Sequence, residues 1–291
     1  MTDVLAILLK ITVMIFMAGS LLELGLRVNL TGALAGLRDV RFVTLSLLWA
    51  FVLCPALAYA LTLIFPLTPS FAMGLILLSL APCAPLLPML ADKARADLDY
   101  AATFMLLASA ATVVYMPVMV PLLVKGLSVS AWTITKPMLA LVLIPLLIGL
   151  AIQFRRRSAA IWIQPLLKRL TGVDTLLMVA LVIIIYGKGF ISSIGSWAIG
   201  AQVVFFFAVT AASYALGFGM PRNQKSVISL GICTRNVGAA MAPLLVATGV
   251  EKDTVVMVTL GIPMMFVASL TAARVFGARA GAASNRVEAH K

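Results

Sequence analysis

The stretch Ser229–Leu245, SLGICTRNVGAAMAPLL, reads as a membrane helix that cannot be continuous. Gly231, Gly238 and Pro243 weaken helical hydrogen bonding. Between them the triplet Thr234, Arg235, Asn236 puts a charge and two polar groups inside an apolar run. Backbone groups freed by such a break cannot face lipid, so the segment must lie against protein or a watery cavity. Ser79–Asp92, SLAPCAPLLPMLAD, has the same character, with Pro82, Pro85 and Pro88 three residues apart. Each proline removes a backbone donor and crowds the preceding turn.

Everything around these stretches is hydrophobic. Of 291 residues 63% are hydrophobic and 11% charged, and the mean hydropathy is +1.12. A water-soluble domain of this size does not tolerate so little polar surface, so the chain is read as an all-α polytopic membrane protein. At about 20 residues per crossing, hydropathy and punctuation predict nine spans, near 4–26, 41–64, 70–91, 98–123, 132–153, 171–190, 197–218, 225–248 and 253–273. The N-terminal apolar run has no basic segment before it and no small-residue cleavage site, so it reads as a retained span. Residues 1–273 form one transmembrane domain, with 274–291 as a cytoplasmic tail.

Lys and Arg fix the expected orientation, because they accumulate in cytoplasmic loops. With the N-terminus outside, the cytoplasmic side holds most of them, including Arg38, Arg41, Lys93, Arg155 to Arg157, Lys168, Arg169 and Lys291. The other side holds Lys125, Lys188 and Lys252. The formal charge of +12 is thus a topology signal and not a nucleic-acid footprint. The expected site is an integral membrane, specifically a bacterial inner membrane, N-out and C-in.

Ten acids and one histidine, His290, leave little material for acid–base catalysis or a metal centre, so an enzyme is not expected. Cys54, Cys83 and Cys233 lie singly in apolar segments without CxxC spacing. Glu23 reads as an interfacial residue beside Arg27, and Asp97 and Asp99 as parts of a solvated connection.

The third and eighth spans are five apart, an odd offset, so they traverse the bilayer in opposite directions. That is the pattern of an inverted-repeat transporter whose site lies between two broken helices. Repeat one would cover about 4–123 and repeat two about 132–273.

From about residue 4 to 273 the order of spans resembles the bile acid:sodium symporter superfamily. GICTRNVGAAMA is similar to that family's second crossover, where a polar triplet ending in Asn precedes small residues, and SLAPCAPLLPMLADKARADLDYAA to its first. The resemblance implies nine helices, a core domain containing the crossed helices, a panel domain, alternating access and substrate in the cleft between them. It also implies a sodium site, but the matching positions here are Leu87, Pro88, Ala101, Met105, Gly231 and Arg235. Apolar side chains cannot supply the oxygen ligands a hard cation needs; a sodium ion would depend on backbone carbonyls. Asn236 alone keeps the family's identity within the triplet.

Arg235 offers a substitute. A guanidinium at mid-membrane costs about 2.5–3.5 kcal/mol on insertion scales and so faces a cavity or a partner. With the positive ends of the two second half-helices directed at the crossing, it favours an anion, and its planar fork suits carboxylate, sulfate or phosphate. Arg235 is expected either to bind the substrate anion or to replace sodium structurally; the alternative is that it only holds carbonyls freed by the break in span three. The predicted substrate contacts are Arg235, Asn236, Thr234 and Cys83, on a crossover shaped by Pro82, Pro85, Pro88, Gly231 and Gly238. Thr234 and Asn236 could equally cap the second half-helix.

The function expected is secondary transport of a small organic anion. One competing reading is metalloid efflux, since Ala81-Pro82-Cys83 looks like the first crossover of the arsenite permease branch and thiolates bind soft metalloids; Cys54 has no evident place in that site. A second is a receptor that kept the fold without flux. The substrate, the coupling ion (sodium, proton or none), the direction of transport and the oligomeric state are not written in the residues.

Overall fold

The computed structural model describes residues 2–124, 130–247 and 249–288. Lys125, His290 and Lys291, named above, lie outside them. The described residues form helices α1 (Thr2–Arg27), α2 (Leu30–Gly36), α3 (Val40–Ile64), α4 (Pro69–Ser79), α5 (Leu87–Lys93) and α6 (Leu98–Leu123). There follow α7 (Ala131–Arg155), α8 (Arg157–Ser192), α9 (Ala198–Ala215), α10 (Arg222–Cys233), α11 (Val237–Val246) and α12 (Lys252–Glu288). No strand occurs among the described residues.

Seven of these helices, α1, α3, α6, α7, α8, α9 and α12, are long and apolar enough to cross a membrane. The third and eighth expected spans are each divided, into α4 with α5 and α10 with α11. The final helix runs past Ala273 to Glu288, where the sequence was read as a tail. Phe276 in that extension is buried and stacks on Tyr214 of α9, ring centroids 4.2 Å apart.

Helix starts follow the polar residue that accepts the first free amides. Asp39 caps α3 through Phe42 N–H, Thr68 caps α4 through Phe71 N–H, and Ser130 caps α7 through Thr133 N–H. Asp97, expected in a solvated connection, caps α6 by accepting from the amides of Asp99 and Tyr100. Asp99 in turn accepts from Asn29 Nδ2 at 3.1 Å.

Inside α3 a wide π-turn spans Trp49–Leu53, just before Pro55. The proline has no N–H for the carbonyl four residues earlier, that of Phe51. The Tyr115 hydroxyl of α6 donates to that carbonyl instead. A similar turn, Leu139–Leu143, precedes Pro145 in α7.

The helices pack as two groups. In one, α1 lies on α7 and α8, and glycines permit the approach: a methyl group added to Gly25 would stand 2.5 Å from Leu146 O, and one on Gly149 2.4 Å from Leu22 O. The second group holds α3–α6 and α9–α12. There Gly74 of α4 packs on Met257 of α12, Gln202 Nε2 of α9 donates to Met257 O at 2.7 Å, and Ser229 of α10 donates to Thr210 O at 2.7 Å. Met17 of α1 bridges the groups by packing on Gly238 of α11.

Candidate functional site

Two short non-helical segments, Leu80–Leu86 between α4 and α5 and Thr234–Asn236 between α10 and α11, meet in the interior. They pair as an isolated antiparallel bridge between Pro82 and Arg235. Cys83 N–H donates to Thr234 O at 2.8 Å and Asn236 N–H donates to Ala81 O at 3.0 Å. Each break thereby satisfies backbone groups that the other has freed, as burial in an apolar medium demands.

The prolines divide the work. Pro82 and Pro85 lie in the break, whereas Pro88 falls in the first turn of α5, where a missing N–H costs nothing. Cys83 takes the left-handed conformation, φ +65°, a strained choice for a residue with a Cβ.

Gly231 and Gly238 do not lie in the break of the eighth span. Both sit inside half-helices, and their role is close approach. A methyl group on Gly231 would stand 2.5 Å from Phe104 Cε1, and one on Gly238 2.5 Å from Met17 Cγ. Phe104 therefore fills the space that a side chain at position 231 would need. Of the other positions matched to sodium ligands, Leu87, Ala101 and Met105 are buried and apolar and Pro88 is half-buried. These side chains do not fit a sodium ion.

Arg235 is the largest fully buried side chain, 1% exposed. Its Nη1 donates to Ser79 O at 3.1 Å, and its Nη2 donates to Ile232 O and to Cys54 Sγ, the latter at 3.0 Å. Ser79 and Ile232 lie at the C-terminal ends of α4 and α10, so one fork gathers carbonyls orphaned at both breaks. The guanidinium carbon lies 5.9 Å from the centre of the Phe205 ring, within cation–π range. Its backbone N–H points at Met265 Sδ, 2.9 Å away, and Nε has no hydrogen-bond partner. Among the described residues no carboxylate is one of its partners.

The remaining predicted contacts surround this cation. Thr234 is fully buried, its hydroxyl donating back to Leu230 O at 2.9 Å. Asn236 caps α11, its Oδ1 accepting from Ala239 N–H at 3.1 Å. Cys83 is buried, with its thiol 3.7 Å from Ala84 O. The structure thus brings Arg235, Thr234, Asn236 and Cys83 to one crossing. It adds Cys54, Phe205 and Met265, which the sequence reading had not placed there. Cys54 in particular is a direct partner of Arg235; a cysteine followed by proline in mid-span was the available signal.

The family model described as Sodium Bile acid symporter family matches residues 12–193, more than half of the chain and inclusive of the first crossover. No curated protein matches the sequence. The chain belongs to the sodium bile acid symporter family, whose members are membrane transporters and not enzymes.

Proposed function

We propose that this integral membrane protein carries a small organic anion by alternating access, with Arg235 standing permanently where sodium-coupled relatives bind their ion. One observation carries the reading: the Arg235 guanidinium ties Ser79 O to Ile232 O across the two broken segments, without a carboxylate among its partners. A sodium ion would collect such carbonyls; here a fixed positive charge does so. The anion is drawn to that uncompensated charge and contacts Asn236, Thr234 and Cys83 beside it.

In this reading the divided segments count as spans, giving nine in two inverted halves, N-terminus outside and C-terminus cytoplasmic in a bacterial inner membrane. The group α1, α7 and α8 acts as the panel, and the helices around the crossing act as the core. A cavity of about 310 Å³ between α8 and α12, lined by Val182, Phe190, Thr259 and Pro263 among others, lies where the two groups face each other and would accept an apolar body.

Thermal unfolding of the purified protein tests this. It is followed in sodium, potassium and choline chloride at matched ionic strength, with and without taurocholate, pyruvate or pantoate. Ligand binding to the folded state alone stabilises by about 2.7 kcal/mol at a hundredfold excess over Kd. The expected result is that one of the anions raises the midpoint equally in all three salts. A shift specific to sodium would overturn the proposal.

A further inference from the structure

Two charged side chains are buried among the described residues, Arg235 at the crossing and Asp174 in α8. The second lies in the run TGVDTLLMVALVIIIY, Thr171–Tyr186, with only 7% of its surface exposed. At about 1.5 Å per residue it lies roughly 8 Å farther along the helix than Arg169. A carboxyl group at that depth needs a reason.

Among the described residues, its surroundings give it no counter-charge. Oδ2 is buried and has no hydrogen-bond partner. The nearest hydroxyls on α8 are committed elsewhere: Thr171 donates to Leu167 O at 3.0 Å and Thr175 donates to Thr171 O at 2.6 Å. Among the described side chains of α1 the ionisable ones are Lys10, Glu23 and Arg27, and Glu23 accepts from Gln164, roughly 15 Å back along α8. On α7 they are Lys136 and Arg155; among the described side chains of α12, Lys252, Asp253, Arg274 and Arg279. Within α8 they are Arg157, Lys168, Arg169, Tyr186 and Lys188. None of these hydrogen-bonds or ion-pairs with Asp174. An ionised carboxylate in such a place is costly, and the protonated acid is far less so.

The same face of α8 meets α1, since Thr171 packs on Gly19 and Asp174 follows it by three positions. Two residues before Gly19, Met17 of the same helix packs on Gly238 at the crossing. One helix, about 10 Å across, therefore separates Asp174 from the segment that holds Arg235.

We infer that Asp174 is a proton-binding site, and that its proton is the ion coupled to anion transport. The inference rests on the transport reading above and supplies the coupling that the apolar sodium positions do not. Asp174 takes one proton from water on one side of the membrane and releases it to water on the other as the two helix groups move. No other bond forms or breaks. One proton then accompanies each anion, so carriage of a monovalent anion is electroneutral.

Asp174→Asn keeps the shape of the protonated acid and cannot bind the proton; Asp174→Glu keeps the chemistry. Infrared difference spectra of the reconstituted protein, taken neutral minus alkaline so that ordinary exposed carboxylates stay ionised throughout, are expected to show a protonated-carboxyl band in the wild type and in Asp174→Glu that Asp174→Asn lacks. Proteoliposomes holding a pH dye are expected to acidify inside when taurocholate or pyruvate is added outside, and Asp174→Asn to lose that signal. Thermal unfolding confirms that the variant is folded. A wild-type spectrum without the band, or an Asp174→Asn protein that still acidifies, overturns the inference. Wild-type liposomes that take up neither probe count against the transport reading instead, and the infrared band still decides whether Asp174 binds a proton.

Discussion

Arg235 Nη2 stands 3.0 Å from Cys54 Sγ, joining the second broken segment to a helix 181 positions earlier in the chain. The cysteine reaches that position from a π-turn created ahead of Pro55, so three features of the sequence converge on one contact. Cys54→Ser is expected to keep the hydrogen bond, and Cys54→Leu to displace the guanidinium. Arg235→Lys should fail to rescue Arg235→Gln, because an ammonium cannot hold Ser79 O and Ile232 O in a planar fork while facing Phe205. Each carbonyl left without a donor costs about 1–3 kcal/mol. Thermal unfolding in detergent reads all four variants, and an Arg235→Lys protein as stable as wild type would refute this account of the fork.

The approach of Gly231 to Phe104 carries a second prediction. A side chain at 231 has no room, so Gly231→Ala is expected to destabilise by about 1–3 kcal/mol, the usual cost of overpacking. Phe104→Leu alone leaves a void, yet in the double variant it should recover part of the loss. The measurement is a double-mutant cycle. Additive effects would mean that the ring and the glycine are independent.

The breaks were legible in the sequence because proline and a polar triplet inside apolar runs have few physical outcomes. Pro82, Pro85 and the Thr234–Asn236 triplet mark the interruptions to within a residue or two. What lay across each break was not legible. Gly231 and Gly238 looked like helix breakers because glycine is flexible; their contacts with Phe104 and Met17 are set by helices distant in sequence. Asp174 was passed over because one acid barely lowers the hydropathy of a long Leu, Ile and Val run. Its significance comes from burial without a partner, which only tertiary packing reveals.

The crossing of α1 and α7 at Gly25 and Gly149 admits no Cβ on either side. In lipid, close van der Waals approach through small residues is a main source of helix association. Gly25→Val is therefore expected to separate α1 from α7 and lower the unfolding midpoint. Gly172→Ala, on the neighbouring α8 with open space around it, should leave the midpoint unchanged. Equal effects would argue against the contact.

Asp39 joins the starts of three helices. It caps α3 through Phe42 N–H at 3.0 Å, accepts from the Tyr100 hydroxyl of α6 at 2.9 Å and from Gln224 Nε2 of α10 at 3.2 Å. The Phe42 amide, foremost, with the Tyr100 and Gln224 donors, holds its carboxyl below the ordinary value of 3.8 despite partial burial. The sign follows from linkage: a carboxyl whose folded value is depressed contributes stability that is fully present above its unfolded value and lost as pH falls through the folded one. Wild type should therefore be more stable than Asp39→Asn throughout the neutral range, with no change in the gap there. The gap should close only in acid, below pH 3.8. Tyr100→Phe removes one donor and should narrow the neutral gap without abolishing it, since the Phe42 amide remains. A gap that changed between mildly acidic and neutral pH would assign the effect to some other group.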